Sequence, residues 1–330
     1  MRRVLLTGAI SAFLLAGAPA GEVVTFGNFI HNVASLEKSA TFYHEALGLE
    51  LTGQAPIAER AFAPNAPVAK LYGTPGSLMR GFTVRLPDSP GGLEFNQFQN
   101  AIVQKTVAPR VQDPGATVVV LKVKSLGEAL AKVREAGATV VTTGGVPAGK
   151  TVVVRDPDGF YVELVEADNA ADSKATGNVI GAGMMISVND IGQTVHLYRD
   201  LIGIPLKVDA RFAKNKELSK TLGADGARFR HASGNIPGTM FQVDFVEFKG
   251  VDRKLGHIQS YEPGSSNLRL RVTDAGSFVK NLQAAGVKVA STGGEPISLN
   301  NNVTTCILSD ASNFYFQIMS AAPGPAPPAR

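Results

Sequence analysis

Two arginines at matching positions are the side chains best suited to bind an anionic group. Arg80 and Arg230 lie 150 positions apart, and each falls on a predicted strand. A planar guanidinium forms two parallel hydrogen bonds with a carboxylate or a phosphate, so either residue could hold such a group of a ligand. Ordinary ion pairing at the surface is the alternative interpretation. His231 is predicted on the opposite face of its strand from Arg230, because successive strand side chains alternate.

The other reactive side chains indicate no particular chemistry. Cys306 is the single cysteine and lies in the apolar run 303–308, so it is expected to pack in the core rather than to form a disulfide. His44 and His196 fall on predicted helices among polar residues and are expected to be solvated. The sequence contains no nucleophile elbow, no Cys-x-x-Cys motif and no dinucleotide fingerprint.

Internal repeats indicate which elements position these side chains. Segment 71–76 recurs as 221–226, and segment 95–98 recurs as 245–248, both at a spacing of 150 residues. Each half divides again into two units with one layout, which is a strand, an amphipathic helix ending at glycine, and three further strands. The predicted helices begin near Ser35, Ser125, Asp190 and Asp274 and end before Gly48, Gly137, Gly203 and Gly286.

Length and composition agree with two globular domains. The chain has 330 residues, of which 44% are apolar and 18% are charged. Its 32 basic and 28 acidic residues are scattered, which argues against nucleic-acid binding. The predicted domains are residues 21–170, with modules at about 26–100 and 116–167, and residues 177–320, with modules at about 180–250 and 266–320.

The N-terminus has the three parts of a secretory signal peptide. Arg2 and Arg3 precede the apolar run 4–16, and Ala18-Pro19-Ala20 follows as a cleavage site. The run is short and interrupted, so no membrane span is expected after processing. We expect cleavage after residue 20, a periplasmic or secreted protein, and a disordered Pro-rich tail over residues 321–330.

Two motifs resemble those of a known family. Residues 32–49 (NVASLEKSATFYHEALGL) are similar to the opening of a vicinal-oxygen-chelate module, and residues 156–164 (DPDGFYVEL) resemble its closing turn and last strand. That superfamily includes glyoxalases, bleomycin resistance proteins and extradiol dioxygenases. The resemblance implies an α+β fold of four βαβββ modules, paired into two tandem domains with cupped mixed sheets. An unrelated α+β repeat protein is the alternative.

The resemblance also implies where a divalent metal would bind, since in the family the first and last strands of each module supply its ligands. The matching first-strand residues are Asn28, Val118, Gly183 and Asn267, and the last-strand residues are Glu94, Glu163, Asp244 and Gln317. None is histidine, so any metal is expected to be Mg²⁺, Mn²⁺ or Ca²⁺ rather than Zn²⁺ or iron. The first half is the expected metal site, because Asn28, Glu94 and Glu163 include two carboxylates.

Glu94 and Glu163 are also the candidate catalytic pair. Two carboxyl groups in an apolar cup have divergent pKa values and can act as acid and base. Ion pairing of each with Arg or Lys is the alternative. His31 lies three positions from Asn28, so it is expected to pack beneath the helix unless a bulge shifts the register. The predicted ligand-binding residues are Asn28, Arg80, Arg230, Asp244, Asn267 and Gln317.

Three functions remain open at this point. The leading hypothesis is an exported monomer or homodimer whose cup binds a small, partly apolar organic molecule, with or without turnover. The second is a metal-dependent lyase of the glyoxalase type, or an extradiol-type dioxygenase, with atypical ligands. The third is a non-catalytic partner-binding module whose cups are filled by side chains.

Overall fold

The structure is a computed structural model that describes residues 23–53, 56–102, 108–144, 150–168, 170, 173, 175–300 and 302–321. The predicted signal peptide and its cleavage site lie outside the described residues, as do residues 322–330 of the predicted tail. No helix in the described part of the chain is long and apolar enough to cross a membrane.

The first half contains two modules of the expected layout. Module 1 consists of β1 (Val23–Asn32), α1 (Leu36–Ala40) with a π-helical extension (Thr41–Ala46), β2 (Leu51–Thr52), a 3-10 turn (Ile57–Glu59), β3 (Ala63–Pro64), α2 (Ala66–Tyr72), β4 (Leu78–Arg85) and β5 (Gly92–Gln99). Module 2 consists of β6 (Thr117–Val123), α3 (Leu126–Glu135), β7 (Thr139–Val140), β8 (Thr151–Arg155) and β9 (Tyr161–Glu166).

The second half repeats this layout. Module 3 consists of β10 (Val179–Val188), α4 (Ile191–Val195) with a π-helical extension (His196–Leu201), β11 (Lys207–Val208), β12 (Ala213–Lys214), α5 (Lys216–Thr221), β13 (Arg228–Asn235) and β14 (Gln242–Lys249). Module 4 consists of β15 (Ser266–Val272), α6 (Ala275–Ala284), β16 (Lys288–Val289), β17 (Ile297–Asn300), β18 (Val303–Ser309) and β19 (Tyr315–Ala321).

Side-chain caps fix the starts of the four crossover helices α1, α3, α4 and α6. The four predicted caps are confirmed, because each side chain accepts a hydrogen bond from a backbone N–H of the first helical turn: Ser35, Ser125, Asp190 and Asp274. Four glycines with φ between 72° and 93° follow the helices, at Gly48, Gly137, Gly203 and Gly286. Glycine adopts this left-handed conformation at little cost, so it terminates each helix where the sequence predicts.

The strands form two mixed sheets, and each sheet is built from one module of each half. Sheet 1 has the order β16-β18-β19-β15-β1-β5-β4-β2, and sheet 2 has the order β11-β13-β14-β10-β6-β9-β8-β7. The central pairs are antiparallel, with Ile30 opposite Asn267 in sheet 1 and Met185 opposite Val118 in sheet 2. The two-sheet α+β architecture of four modules is therefore confirmed.

The pairing of the modules differs from the expectation that neighbours in sequence share a sheet. Modules 1 and 4 form sheet 1, whereas modules 2 and 3 form sheet 2. The expectation that the two modules of residues 21–170 share one cupped sheet, and that the two modules of residues 177–320 share the other, is therefore wrong. The four first strands have one layout and lead into similar connections, so their pattern does not specify which two strands lie side by side.

Alternation along the strands separates a helix face from an opposite face in each sheet. One continuous apolar cluster covers the helix faces of both sheets, and His31 and Cys306 are fully buried there or beside it. Smaller clusters lie on the opposite faces, around Leu71, Tyr72 and Ile307 in sheet 1 and around Met185, Phe229 and Phe248 in sheet 2. We call these opposite faces cup 1 and cup 2.

Candidate functional site

The sheet registers define equivalent positions in the two cups. In cup 1, Arg269 pairs with Gln317 and Ile30 pairs with Glu94. In cup 2, the same registers pair Val120 with Glu163 and Met185 with Asp244. Val120 therefore stands where cup 1 has Arg269, and Glu163 and Asp244 stand where cup 1 has Gln317 and Glu94.

A two-point ion pair occupies cup 1. Arg269 Nη1 and Nη2 donate to the two carboxylate oxygens of Glu94 at 2.6 and 3.1 Å, and Arg269 Nε donates to Gln317 Oε1 at 3.0 Å. Asn28 Nδ2 donates to Glu94 Oε2 at 2.7 Å. Burial works against the charge of Glu94, but Arg269 and these hydrogen bonds outweigh it and lower the pKa of Glu94. Glu94 is therefore stabilised as a carboxylate, and its orientation is fixed by these hydrogen bonds.

Helix α2 covers the rest of cup 1. Leu71 and Tyr72 are buried against Ile307 on the far half of the sheet. Asn267 Nδ2 lies 3.4 Å from the Tyr72 hydroxyl, and burial, followed by the charge of Glu94, raises the pKa of Tyr72 to about 12. Side chains of the chain itself thus cover this part of cup 1.

Cup 2 presents two carboxylates and one imidazole. His231 Nδ1 lies 2.9 Å from Asp244 Oδ2, and about a quarter of each side chain is exposed, 27% and 28%. Burial disfavours the charged imidazole, but the hydrogen bond and charge of Asp244 outweigh it and raise the pKa of His231. Burial and then the charge of Asp244 raise the pKa of Glu163 to about 7.

Both acidic residues of cup 2 have a carboxylate oxygen without a basic partner in the described structure. Asp244 Oδ1 is buried and makes no hydrogen bond to any described residue. Glu163 belongs to no ion pair among the described residues, and Val120 beside it is apolar. A glycine, Gly183, takes the place that Asn28 has in cup 1, so no amide reaches Asp244 from that side.

The predicted metal set of Asn28, Glu94 and Glu163 is not assembled. Asn28 and Glu94 lie together in sheet 1, but Glu163 lies in sheet 2, because modules 1 and 2 do not share a sheet. The same separation makes the predicted acid and base pair of Glu94 and Glu163 wrong. Among the described residues, no group of three or more His, Cys, Asp or Glu side chains is placed to hold a metal ion. Neither cup therefore brings three such ligands together among the described residues.

The remaining predicted ligand-binding residues are divided between the faces. Asn267 and Gln317 lie in cup 1 and Asp244 lies in cup 2. Arg80 lies on the helix face, where it pairs with Glu37 at 2.8 Å, and Arg230 Nε donates to the backbone oxygen of Asp209 at 3.0 Å. Neither guanidinium lies in a cup, so the ion-pairing alternative describes Arg80.

His31 packs beneath the helix, as predicted. It is fully buried, stacks on Phe160 with ring centroids 3.8 Å apart, and its Nδ1 lies 2.8 Å from Ser266 Oγ. Burial lowers the pKa of His31 to about 3. A neutral, enclosed imidazole at this position supports the fold and does not face either cup.

The roles of three cup residues were not predicted from the sequence: Arg269, His231 and Tyr72. Arg269 lies two residues beyond Asn267 on the same strand, so alternation alone places both on one face. His231 was assigned the correct face relative to Arg230, but its partner Asp244 could be named only with the strand pairing. Tyr72 belongs to α2, and nothing in the repeated sequence pattern indicates that this helix covers sheet 1.

A separate cavity lies where strands β6, β9, β15 and β19 begin. Its volume is about 630 Å³, and its wall includes Thr117, Phe160, Tyr161, Ser266, Phe314 and Tyr315. Thr117 Oγ1 donates to Ser266 Oγ at 3.2 Å, which joins the two sheets at the cavity wall. None of the predicted site residues contributes to this wall.

Solved structures with this fold include a glyoxalase and a proposed dioxygenase. A glyoxalase I from Zea mays superposes with a TM-score of 0.56 at 14% identity, covering 90% of this chain and 92% of its own. A single-residue variant of the same enzyme gives a TM-score of 0.59 with 90% and 93% coverage, also at 14% identity. A proposed dioxygenase from Bacillus subtilis gives 0.56 at 15% identity, with 92% and 87% coverage.

The sequence comparison agrees with the fold. No curated protein matches the chain. The sequence profile of the Glyoxalase/Bleomycin resistance protein/Dioxygenase superfamily matches residues 25–164, which contain modules 1 and 2. Residues 25–164 are therefore similar to a domain of the Glyoxalase/Bleomycin resistance protein/Dioxygenase superfamily.

Proposed function

We propose that this protein binds a small, partly apolar organic molecule in cup 2. The observation that carries the proposal is the difference between the carboxylates of the two cups. Arg269 neutralises Glu94 in cup 1, whereas in cup 2 Asp244 keeps one buried oxygen without a partner and Glu163 belongs to no ion pair among the described residues. Buried polar groups without partners are costly, so a site that keeps them gains when a ligand supplies the missing contacts. Phe229 and Phe248 offer an apolar wall beside them.

Cup 2 also has groups suited to proton transfer. The pKa of Glu163 is raised to about 7, so at neutral pH this carboxyl group is divided between a proton donor and a proton acceptor. Asp244 holds the ring of His231 through Nδ1, which leaves Nε2 for a second contact. If the bound molecule is turned over, Glu163 is the group we expect to exchange the proton.

The experiment compares small aromatic compounds by calorimetric titration of the purified protein. Catechol, benzoate, benzamide and benzamidine share an apolar ring and differ in their polar group. We expect at least one of them to bind with 1:1 stoichiometry, and Val120→Arg to weaken it at least tenfold by placing a guanidinium between Glu163 and Asp244.

The control variant is Lys254→Glu, which changes an exposed side chain at the mouth of the separate cavity. It should leave binding in cup 2 unchanged. Binding that survives Val120→Arg and is lost with Lys254→Glu would place the ligand in the cavity and overturn the proposal.

We also propose that the chain is exported, on the basis of its basic, apolar and small-residue N-terminal segments. The test is N-terminal sequencing of the protein isolated from its host. The mature chain should begin at Gly21, and a chain that retains Arg2 and Arg3 would contradict export.

A further inference from the structure

In cup 1, a cationic side chain of the protein itself is bound between the last strands of the two modules. The Arg269 guanidinium lies between residues of both modules of sheet 1, with two bonds to Glu94 and one to Gln317. Charge-assisted bonds of this two-point type are among the strongest that a protein makes. The geometry of this sheet therefore accommodates a planar cation between its two last strands.

Cup 2 keeps the acceptors of this arrangement but lacks the cation. Asp244 corresponds to Glu94, and Glu163 corresponds to Gln317, so one neutral acceptor of cup 1 is a carboxylate in cup 2. Val120 replaces the arginine, which removes the positive charge and most of the side-chain length. The change leaves Glu163 and the unpartnered oxygen of Asp244 at a position where cup 2 has no equivalent of the Arg269 guanidinium.

Solvent reaches this position. Val120 and Glu163 are half-buried, and about a quarter of the Asp244 side chain is exposed. Asp244 Oδ1 is nevertheless enclosed and has no partner among the described residues, while its other oxygen is held by His231. His231 thus fixes the orientation of Asp244 and leaves one oxygen for a ligand.

From this comparison we propose that cup 2 recognises a small organic cation, with a guanidinium, amidinium or primary ammonium group in the place that Arg269 takes in cup 1. The inference rests on the proposed function and adds the chemical class of the ligand. The charged group lies between Glu163 and Asp244, and its apolar part packs on Phe229, Met185 or Phe248. A cation with a short aromatic or aliphatic body matches both parts of the site.

The test uses three compounds of one shape and three charges. Benzamidine is a cation, benzamide is its neutral isostere, and benzoate is an anion. Calorimetric titration of the full-length protein at pH 8 should give benzamidine binding at least tenfold tighter than benzamide, with no detectable binding of benzoate. The elevated pH keeps Glu163 ionised, since burial raises its pKa to about 7.

Two variants locate the cation. Glu163→Gln introduces the residue that cup 1 has at this position, and it should weaken benzamidine at least tenfold while changing benzamide less than twofold. Val120→Arg should abolish benzamidine binding, whereas Val120→Met, which adds similar length without charge, should retain the preference for benzamidine over benzamide. Thermal unfolding of each variant verifies that it is folded.

The outcomes separate this inference from the proposed function. Benzamide or benzoate binding as tightly as benzamidine, in a manner sensitive to Val120→Arg, overturns the cationic class and leaves the proposed function standing. Displacement of benzamidine by stoichiometric MgCl₂ or MnCl₂ also overturns it, because the site then takes a metal ion. If catechol binds but none of these three compounds does, only the cationic class fails, and if none of the four binds, both proposals fail.

Discussion

Arg269 and Glu94 join the two halves of the chain through a pair of hydrogen bonds of 2.6 and 3.1 Å, although they lie 175 positions apart in sequence. Only 14% and 19% of their side chains are exposed. Removing one partner of a buried pair leaves the other charge without compensation, which costs more than the pair contributes. The pair therefore makes cup 1 sensitive to single substitutions.

We predict that Arg269→Leu lowers the free energy of unfolding by about 2–4 kcal/mol. Glu94 would then be a largely buried carboxylate whose remaining bonds come from Asn28 and Asn96. The double variant Arg269→Leu with Glu94→Leu should recover most of the loss, since no isolated charge remains. Urea unfolding followed by circular dichroism measures both, and a double variant as unstable as the single one would contradict the explanation.

A buried carboxyl group should make the free energy of unfolding decline between pH 4 and pH 7. Burial, and then the charge of Asp158, raise the pKa of Asp156 to about 7, and the Tyr43 hydroxyl donates to Asp156 Oδ2 at 2.9 Å. Because the folded pKa exceeds the unfolded value, this contribution is complete below pH 4 and is lost as pH rises through 7. Its size is at most about 4 kcal/mol.

Asp156→Asn should therefore flatten the decline between pH 4 and pH 7. Asp310, whose pKa burial raises to about 6, accepts a hydrogen bond from Tyr198 at the equivalent place in module 4 and provides the matched comparison. Asp310→Asn should flatten a smaller part of the curve of unfolding free energy against pH, and that part should be centred at a lower pH. The measurement is the unfolding free energy as a function of pH, and parallel curves for wild type and Asp156→Asn would exclude this source.

The contribution of His31 to stability depends on pH in the opposite direction. Burial lowers its folded pKa to about 3, below the unfolded value of 6.5, so its contribution is complete above pH 6.5 and is lost as pH falls through 3. We predict that His31→Leu reduces the loss of stability between pH 6.5 and pH 4. An acid slope that His31→Leu does not alter would count against the prediction.

Local features of the fold were predictable because each depends on a few neighbouring residues. Ser35 caps a helix through its own hydroxyl, and Gly48 ends it through its own φ angle, so both can be identified in the sequence. The burial of His31 follows from strand alternation in the same way. The face of a side chain is therefore accessible to sequence reasoning wherever the strand is regular.

The composition of the cups was not predictable in the same way. Glu94 and Glu163 were assigned to one site because their modules are adjacent in sequence, but the partner of a first strand is chosen by tertiary packing. The cavity at Thr117 and Ser266 depends on the same choice, since these residues come from different halves. Once the pairing is known, the register identifies Arg269 and Val120 as equivalents.

Each sheet combines one module from each half of the chain, and this pairing predicts what happens when the two halves are produced as separate polypeptides. If residues 23–168 and 175–321 are produced as separate polypeptides, each has two half-sheets, with the edges of β1 and β6 unpaired in one and those of β10 and β15 unpaired in the other. Unpaired strand edges that are also apolar favour association. Co-expressed halves should therefore copurify as a 1:1 complex whose circular dichroism matches that of the intact chain.

Each half alone should form a homodimer or aggregate, because pairing with a second copy is then the only way to cover both edges. Size-exclusion chromatography with light scattering distinguishes these states. A tagged first half and an untagged second half provide the control, since recovery of the second half requires contact with the first. Two stable monomers that do not associate would mean that modules 1 and 2 share a sheet after all, contrary to the pairing of Ile30 with Asn267.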